Sequence, residues 1–320
     1  MRVLILILDG AQLLDVGGPA QVVETARILG APYELHFVGA ARQRVTKLGL
    51  TLAGIEPLPV PTADDWIIVS GLALFNAEQR RIVIREPFAS IAEREWLRRA
   101  YHAGARISSV CSGVFALGEA GILDHRRATA HWLALDEFRK RFPLAHVIDD
   151  ALFVDDGQVI TSAGASAGID MTLHLVERDH GPRIAADITR GLVLYQRRSS
   201  ADSQLSIFTR HRAHLHPGVH RVQDWMSRNI ETPATLKQLA RTARMSVRSL
   251  TREFRAATGL SVVEYRERLR IEHAQQLASA DATLSLDEVA FQSGFGGARQ
   301  LRRVWRKHRN EPLREIRALR

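Results

Sequence analysis

The stretch "SSVCSGVFALGEAGILDHRRATAHW", residues 108–132, decides the fold, because a short apolar run ends there at a cysteine, a serine and a glycine and a helical pattern begins at once. "ARISSV" (105–110) has strand length, and "VFALGEAG" (114–121) carries the apolar spacing of a helix. The same change of rhythm recurs along the first two hundred residues. Short apolar runs stand at "VLILIL" (3–8), "YELHFVG" (33–39), "WIIVSG" (66–71) and "VITSAG" (159–164). Between several of them, "GPAQVVETARILG" (18–30) and "IAEREWLRRAYHAG" (91–104) return an apolar residue every three or four positions. Continuous apolar strands alternating with amphipathic helices predict an α/β domain, a parallel sheet with helices on both faces. Ligands bind such sheets beyond the carboxyl ends of the strands, which nominates Asp9 and Gly10, Ser70 and Gly71, and Cys111 to Gly113.

Cys111 is the one cysteine of 320 residues. On a strand-to-helix turn a thiol is expected to be exposed at the sheet edge, near helix amides that favour its thiolate, and so to be more acidic than a free cysteine at about 8.5. A lone cysteine can equally be a small buried hydrophobe, and position alone leaves both readings open. One cysteine closes no intrachain disulfide and builds no thiolate metal site, which fits a reducing cytoplasm. The run "VLILIL" is stopped by Asp9, too short for a signal peptide or a membrane span, so no membrane partner is expected. At 46% hydrophobic residues the chain has material for two cored domains.

Three separated segments carry a resemblance. "CSGVFALGEAGILDHRRATAHW" (111–132), "LLDVGGP" (13–19) and "TSAGASAGIDMTLHLVERDHG" (161–181) resemble the ThiJ/PfpI superfamily, specifically the amidotransferase-like domain of GlxA-type regulators. The resemblance implies a flavodoxin-like fold, a cysteine at a nucleophile elbow, and an acidic residue sharing a hydrogen bond with the thiol. The match to "LLDVGGP" makes Asp15 that residue and draws the ligand crevice around Asp15, Gly71, Cys111 and Ser112. Protease-like members carry a histidine directly after the cysteine; Ser112 stands there, so no peptidase activity is expected. His131, beside Trp132, is read as a packed residue and not as a base.

Charge divides the chain unevenly. Residues 1–209 hold 22 Lys and Arg against 24 Asp and Glu, whereas residues 210–320 hold 22 against 11, so the net +9 belongs to the tail. A neutral part followed by a compact Arg-rich part points to a polyanion, nucleic acid before membrane, as no long apolar face accompanies the charge. The boundary lies in "QRRSSADSQLSIFTRHRAHLHPGVH" (196–220), which loses the sheet-and-helix rhythm. Three segments are expected: a ThiJ/PfpI-like domain over 1–200, a linker over 201–216 and a DNA-binding domain over 217–320. His211, His214, His216 and His220 are crowded, but their spacing matches no single helical face and no carboxylate or cysteine completes a metal set.

Beyond the boundary an all-helical pattern repeats. Leu236, Leu239, Ala240 and Met245 find counterparts fifty residues on at Leu286, Val289, Ala290 and Phe295; Leu250 and Phe254 match Leu301 and Trp305, fifty-one on. Each copy reads as a short helix, a tight turn and a second helix with apolar residues four apart. In the first copy Ser246 is a natural N-cap, Leu250 and Phe254 face inward, and Arg248, Thr251 and Arg252 face away. In the second, Leu301 and Trp305 face inward while Arg299, Arg302 and Arg303 face away. An outward arginine face on the second helix is the geometry of a helix-turn-helix entering the major groove, where the guanidinium fork meets guanine edges or phosphate. The expected DNA-facing set is Ser246, Arg248, Thr251 and Arg252 with Arg299, Gln300, Arg302 and Arg303. Residues 261–280 read as one long helix that spaces the two copies.

"MSVRSLTREFRAATG" (245–259), "RLRIEHAQQLA" (268–278) and "VAFQSGFGGARQLRRVWRKH" (289–308) resemble an AraC/XylS-type DNA-binding domain over about residues 217–317. The family's usual Phe, Gly and Tyr-Arg ending are replaced by Trp305, Asn310 and Ile316 with Arg317, and the turn is one residue shorter. Together the two resemblances imply a transcriptional regulator, cytoplasmic and homodimeric, without cofactor or metal. Its partners would be double-stranded DNA, a small-molecule effector and RNA polymerase. Two alternatives remain open: a Cys-dependent hydratase or lyase resembling isonitrile hydratase and using Asp15 and Cys111, or a first domain serving only as a dimerisation platform.

Overall fold

The computed structural model describes residues 1–72, 75–76, 81–82, 87–195, 197–200, 202–281 and 283–309; Asn310, Ile316 and Arg317 lie outside them. The chain divides into two compact units, Met1–Gln204 and Leu205–Arg320.

Among the described residues the first unit is built on a seven-stranded sheet of β1 (Arg2–Leu6), β2 (Glu34–Gly39), β3 (Glu56–Pro57), β4 (Trp66–Val69), β5 (Arg106–Val110), β6 (Phe153–Asp156) and β7 (Val159–Ser162). Their spatial order is β6-β7-β5-β4-β1-β2-β3. In β1, Val3 stands opposite Leu35 on one side and Trp66 on the other, and every pairing is parallel except β6 with β7. Alternation across the pleat feeds two cores. Leu4, Leu6, Leu8, Ile67 and Val69 pack with α2 (Ile91–His102), α3 (Val114–Glu119) and α4 (Leu135–Arg141). Val3, Ile5, Ile7, Trp66 and Ile68 pack with α1 (Leu13–Ile28), α5 (Ala165–His180) and α6 (Pro182–Gly191). Because both faces are covered, the strands read as unbroken apolar runs. The five strands predicted from the sequence are therefore present, with two additions, β3 and β6, one at each edge of the sheet. β6 escapes that reading because it lies at the edge, yet "VDDGQV" carries a signal: Gly157-Gln158 is the two-residue hairpin turn, and Gly157 adopts φ +80° there.

The second unit is helical: α7 (Ile207–Arg210), α8 (Pro217–Arg228), α9 (Leu236–Ala243), α10 (Val247–Thr258), α11 (Val262–Ala280), α12 (Leu286–Gln292) and α13 (Ala298–His308). Among the described residues it contains two separate apolar cores. Val219, Val222, Leu239, Leu250, Phe254 and Tyr265 form the first; Ile271, Ala274, Val289, Phe295, Leu301 and Trp305 form the second. The residues expected to face inward in each copy do so, and α11 contributes to both cores.

Between residues 202 and 216 several groups make specific hydrogen bonds. Gln204 donates to the carbonyls of Ala130 and Ala151 in the first unit, Ile207 is buried in the second, and its N–H donates to Glu272. Polar composition reads as loop, but here the polar side chains satisfy backbone groups. His216 accepts from the Val219 N–H as the N-cap of α8, His214 accepts from the His216 N–H, and His220 Nε2 meets the His214 carbonyl at 2.6 Å. Among the described residues no three His, Cys, Asp or Glu are grouped to hold a metal.

Candidate functional site

Two sites were expected, one in each unit. In the first, β5 delivers Cys111 into a single 3-10 turn, Cys111–Gly113, that leads straight into α3. Cys111 is held at φ +57°, left-handed for a residue with a side chain. Gly113 follows because a Cβ there would stand 2.6 Å from the Val69 carbonyl. At the end of β4, a Cβ on Gly71 would lie 2.3 Å from Asp15 Oδ2, 2.8 Å from the Val110 carbonyl and 2.9 Å from Cys111 Cβ. Asp15, Gly71 and Cys111 are thus brought together, as expected. Ser112 is beside them but committed elsewhere: its hydroxyl donates to the Leu72 carbonyl at 2.9 Å and accepts the Leu72 N–H at 2.8 Å. It ties the β4 turn to the elbow.

The electrostatics correct one expectation. Asp15 is fully buried, and among the described residues no donor meets either carboxyl oxygen in full hydrogen-bond geometry. Burial pushes its pKa up to about 7, with the Gly71 amide opposing. Cys111 is only 7% exposed, not open at the sheet edge. Burial raises its pKa, and the Asp15 charge raises it further, against weaker help for the thiolate from Ser112. The elbow therefore holds a protonated thiol less acidic than a free cysteine, because desolvation outweighs the few amides of a short helix. His131 Nδ1 accepts the Leu133 N–H at 3.3 Å, its ring lies along Trp132, and burial lowers its pKa. That is a packed, neutral histidine.

In the second unit each helix pair is joined by a left-handed residue, Arg244 at φ +58° and Gly294 at φ +75°. Thr235 with Gln238, and Ser285 with Glu288, form capping boxes at the starts of α9 and α12. Ser246 caps α10 by accepting the Ser249 N–H at 3.1 Å, and Asp287 Oδ1 accepts the Ala298 N–H at 2.7 Å, docking α12 on the start of α13. These caps place two faces in solvent. On α10, Arg248, Thr251 and Arg252 are exposed opposite buried Leu250 and Phe254; on α13, Arg299, Gln300, Arg302 and Arg303 are exposed opposite buried Leu301 and Trp305.

The exposed residues are not equivalent. Arg252 is paired with Glu253 at 2.7 Å, Thr251 donates to the Val247 carbonyl, and Gln300 accepts the Gly296 N–H. Among the described residues, Arg248, Arg299, Arg302 and Arg303 pair with no carboxylate. Sequence reasoning missed Arg255 and Arg306, exposed on the same faces seven residues beyond Arg248 and Arg299. Their signal is that interval of two helical turns.

Residues 89–178 match the DJ-1/PfpI family and residues 239–318 match a helix-turn-helix domain. The HTH-type transcriptional regulator CdhR of Pseudomonas aeruginosa is 34% identical over 66% of this chain and 62% of its own length. The HTH-type transcriptional regulator GbdR of the same species is 29% identical over 98% of this chain and 83% of its own. The HTH-type transcriptional regulator GlxA of Rhizobium meliloti is 30% identical over 64% of this chain and 62% of its own length, so this chain is similar to the GlxA-type regulators. The DJ-1/PfpI match lies in the first unit and the helix-turn-helix match in the second, in that order. A crystal structure of an AraC family transcriptional regulator from Pseudomonas putida superposes with a TM-score of 0.50 at 21% identity, covering 60% of this chain and 98% of that one, and supports the fold. Among the described residues no helix is long and apolar enough to cross a membrane.

Proposed function

We propose that this regulator binds duplex DNA through α10 and α13, one recognition helix in each of two major-groove segments, and that a small molecule entering the Asp15–Cys111 crevice shifts that binding. The observation that carries the reading is the pair of exposed arginine faces, unpaired at Arg248, Arg299, Arg302 and Arg303, each backed by its own apolar core. Arginines without carboxylate partners keep their donors for phosphate and base edges. The names of the relatives support the same conclusion, as does the +11 charge of residues 210–320. In this reading residues 1–200 sense, 217–320 bind DNA, and the protein works as a cytoplasmic homodimer whose partner at the promoter is RNA polymerase.

The buried Asp15–Cys111 pair favours recognition over catalysis. A hydratase mechanism through Cys111 needs a nucleophilic sulfur, and both burial and Asp15 oppose the thiolate. A buried carboxyl whose oxygens meet no donor in full hydrogen-bond geometry among the described residues is instead suited to exchange hydrogen bonds with a bound polar molecule. Binding shifts DNA affinity to the extent that the molecule distinguishes the two states of the protein. The test is fluorescence anisotropy of the full chain on a genomic duplex library at several salt concentrations. Affinity should fall linearly on a log–log plot as salt rises, by one counterion for about each phosphate neutralised. Salt-independent binding, or no retained fragment, would overturn the reading.

A further inference from the structure

The two helix-turn-helix units do not share one core. Val262, Tyr265 and Leu269 of α11 belong to the first apolar core, whereas Ile271, Ala274 and Ala278 belong to the second. Between the two lies a cavity of about 190 Å³, reached by Leu236 and Val263 from one side and by Phe295, Gln300 and Val304 from the other. With apolar packing interrupted there, the relative placement of α10 and α13 depends on α11 and on what it holds.

Three polar residues of α11 hold both sides. Arg266 Nη1 donates to the Ala234 carbonyl at 2.9 Å and Nη2 to the Thr232 carbonyl; Arg270 Nε donates to the Ile230 carbonyl at 2.9 Å. These bonds fasten the connection between α8 and α9, and hence the first unit. Arg270 also lies 6.0 Å from the ring centre of Phe295 in the second turn. Glu267 faces the other way: its Oε2 receives Lys307 Nζ at 2.6 Å and His308 Nε2 at 2.8 Å, at the last turn of α13. Gly294 closes the arrangement, because a Cβ there would stand 2.4 Å from the Ile230 carbonyl and 2.7 Å from Arg270.

We propose that Arg266, Glu267 and Arg270 form a brace that sets the distance and angle between the two recognition helices, and so selects the half-site spacing this protein accepts on DNA. The inference rests on the DNA-binding reading above. Each inserted base pair moves the second half-site by about 3.4 Å and rotates it by about 35°, so a rigid pair of helices rejects it while a loosened pair follows it. Arg266 and Arg270 are positioning residues; they act through the helices they hold and not on DNA.

The experiment uses the full chain. Wild type first selects bound sequences from a random duplex library, which defines its bipartite site. Duplexes with that site, with one base pair added or removed between the halves, and with one half scrambled are then titrated against wild type, Glu267→Gln and Arg270→Lys, with thermal unfolding of each protein alongside. Glu267→Gln keeps size and shape at a partly exposed position, so it tests the brace without a cavity or a buried charge. Wild type should lose about tenfold on changing the spacing and each variant less than about threefold, while all three bind the half-scrambled duplex within about twofold of one another. The same spacing penalty in the variants as in wild type overturns the brace. So does a loss on the half-scrambled duplex that matches the loss on the full site, which would mark a folding role alone. If wild type enriches no sequence, the DNA-binding reading fails first and the brace with it.

Discussion

Asp15 and Cys111 are the residues whose chemistry the surroundings change most. Asp15 keeps its proton in the folded protein to about pH 7, against an ordinary aspartate pKa of about 3.9 in the unfolded chain. Between those values the folded state binds one proton more than the unfolded state. The stability this contributes is full below about pH 4, falls as pH rises, and is gone above about pH 7. Asp15→Asn removes the titrating group while keeping the shape, so its denaturant midpoint should fall less than that of wild type between pH 5 and pH 8. The difference should amount to about 2–4 kcal/mol. Parallel pH profiles for the two proteins would rule out a buried, proton-holding Asp15. At Cys111 the expected result is slow alkylation. Iodoacetamide should label the native protein at pH 8 at least about tenfold more slowly than the denatured chain, because the thiolate is the reactive form and the thiol is buried. Labelling at equal rates would return the exposed, acidic elbow.

Among the elements, the two helix-turn-helix copies differ where their first helices end. Arg244 and Gly294 occupy equivalent left-handed positions, yet only one is a glycine. A side chain in that conformation costs about 1–2 kcal/mol, so Arg244→Gly should stabilise the first helix-turn-helix copy by about 0.5–1 kcal/mol once the greater freedom of glycine in the unfolded chain is counted. Gly294→Ala should do the opposite and more strongly, by about 2 kcal/mol or more, since backbone strain adds to the close approach of the Ile230 carbonyl. Differential scanning calorimetry of the two variants checks both signs. A destabilised Arg244→Gly would mean that the arginine side chain contributes more than its backbone strain removes.

At the scale of the whole molecule, function is divided as charge is. The neutral first unit carries a buried acid and thiol, and the basic second unit carries two arginine faces. Arg248→Ala and Arg299→Ala should each weaken binding to the selected site by about 1–3 kcal/mol and relax base preference at one position if they read base edges. Equal losses on specific and random DNA would assign both to phosphate. A Leu301→Ala change should cost about 2–5 kcal/mol in the core of the second helix-turn-helix copy while leaving the first copy's amides protected, because the two cores are separate. Hydrogen exchange resolved by segment makes that comparison.

The sequence by itself determined the sheet, the repeat and the two arginine faces, since each follows from local periodicity: unbroken apolar strands covered on both sides, apolar positions returning at helical spacing, and arginines in the opposite phase. The edge strand Phe153–Asp156 was legible only through the glycine of its turn, Gly157, and Arg255 and Arg306 only through their two-turn interval. Tertiary structure alone decided the state of Cys111, because proton affinity depends on how much water surrounds the group and which charge lies beside it. Neither burial nor Asp15, nearly a hundred positions away in the chain, can be read from the residues flanking a cysteine. It also decided that Ser112 holds Leu72, that the histidines near residue 214 cap and bridge backbone, and that Arg266 and Glu267, neighbours in sequence, hold opposite helix-turn-helix units. Each of these is a contact between groups whose separation in space is set by packing, which periodicity along the chain does not encode.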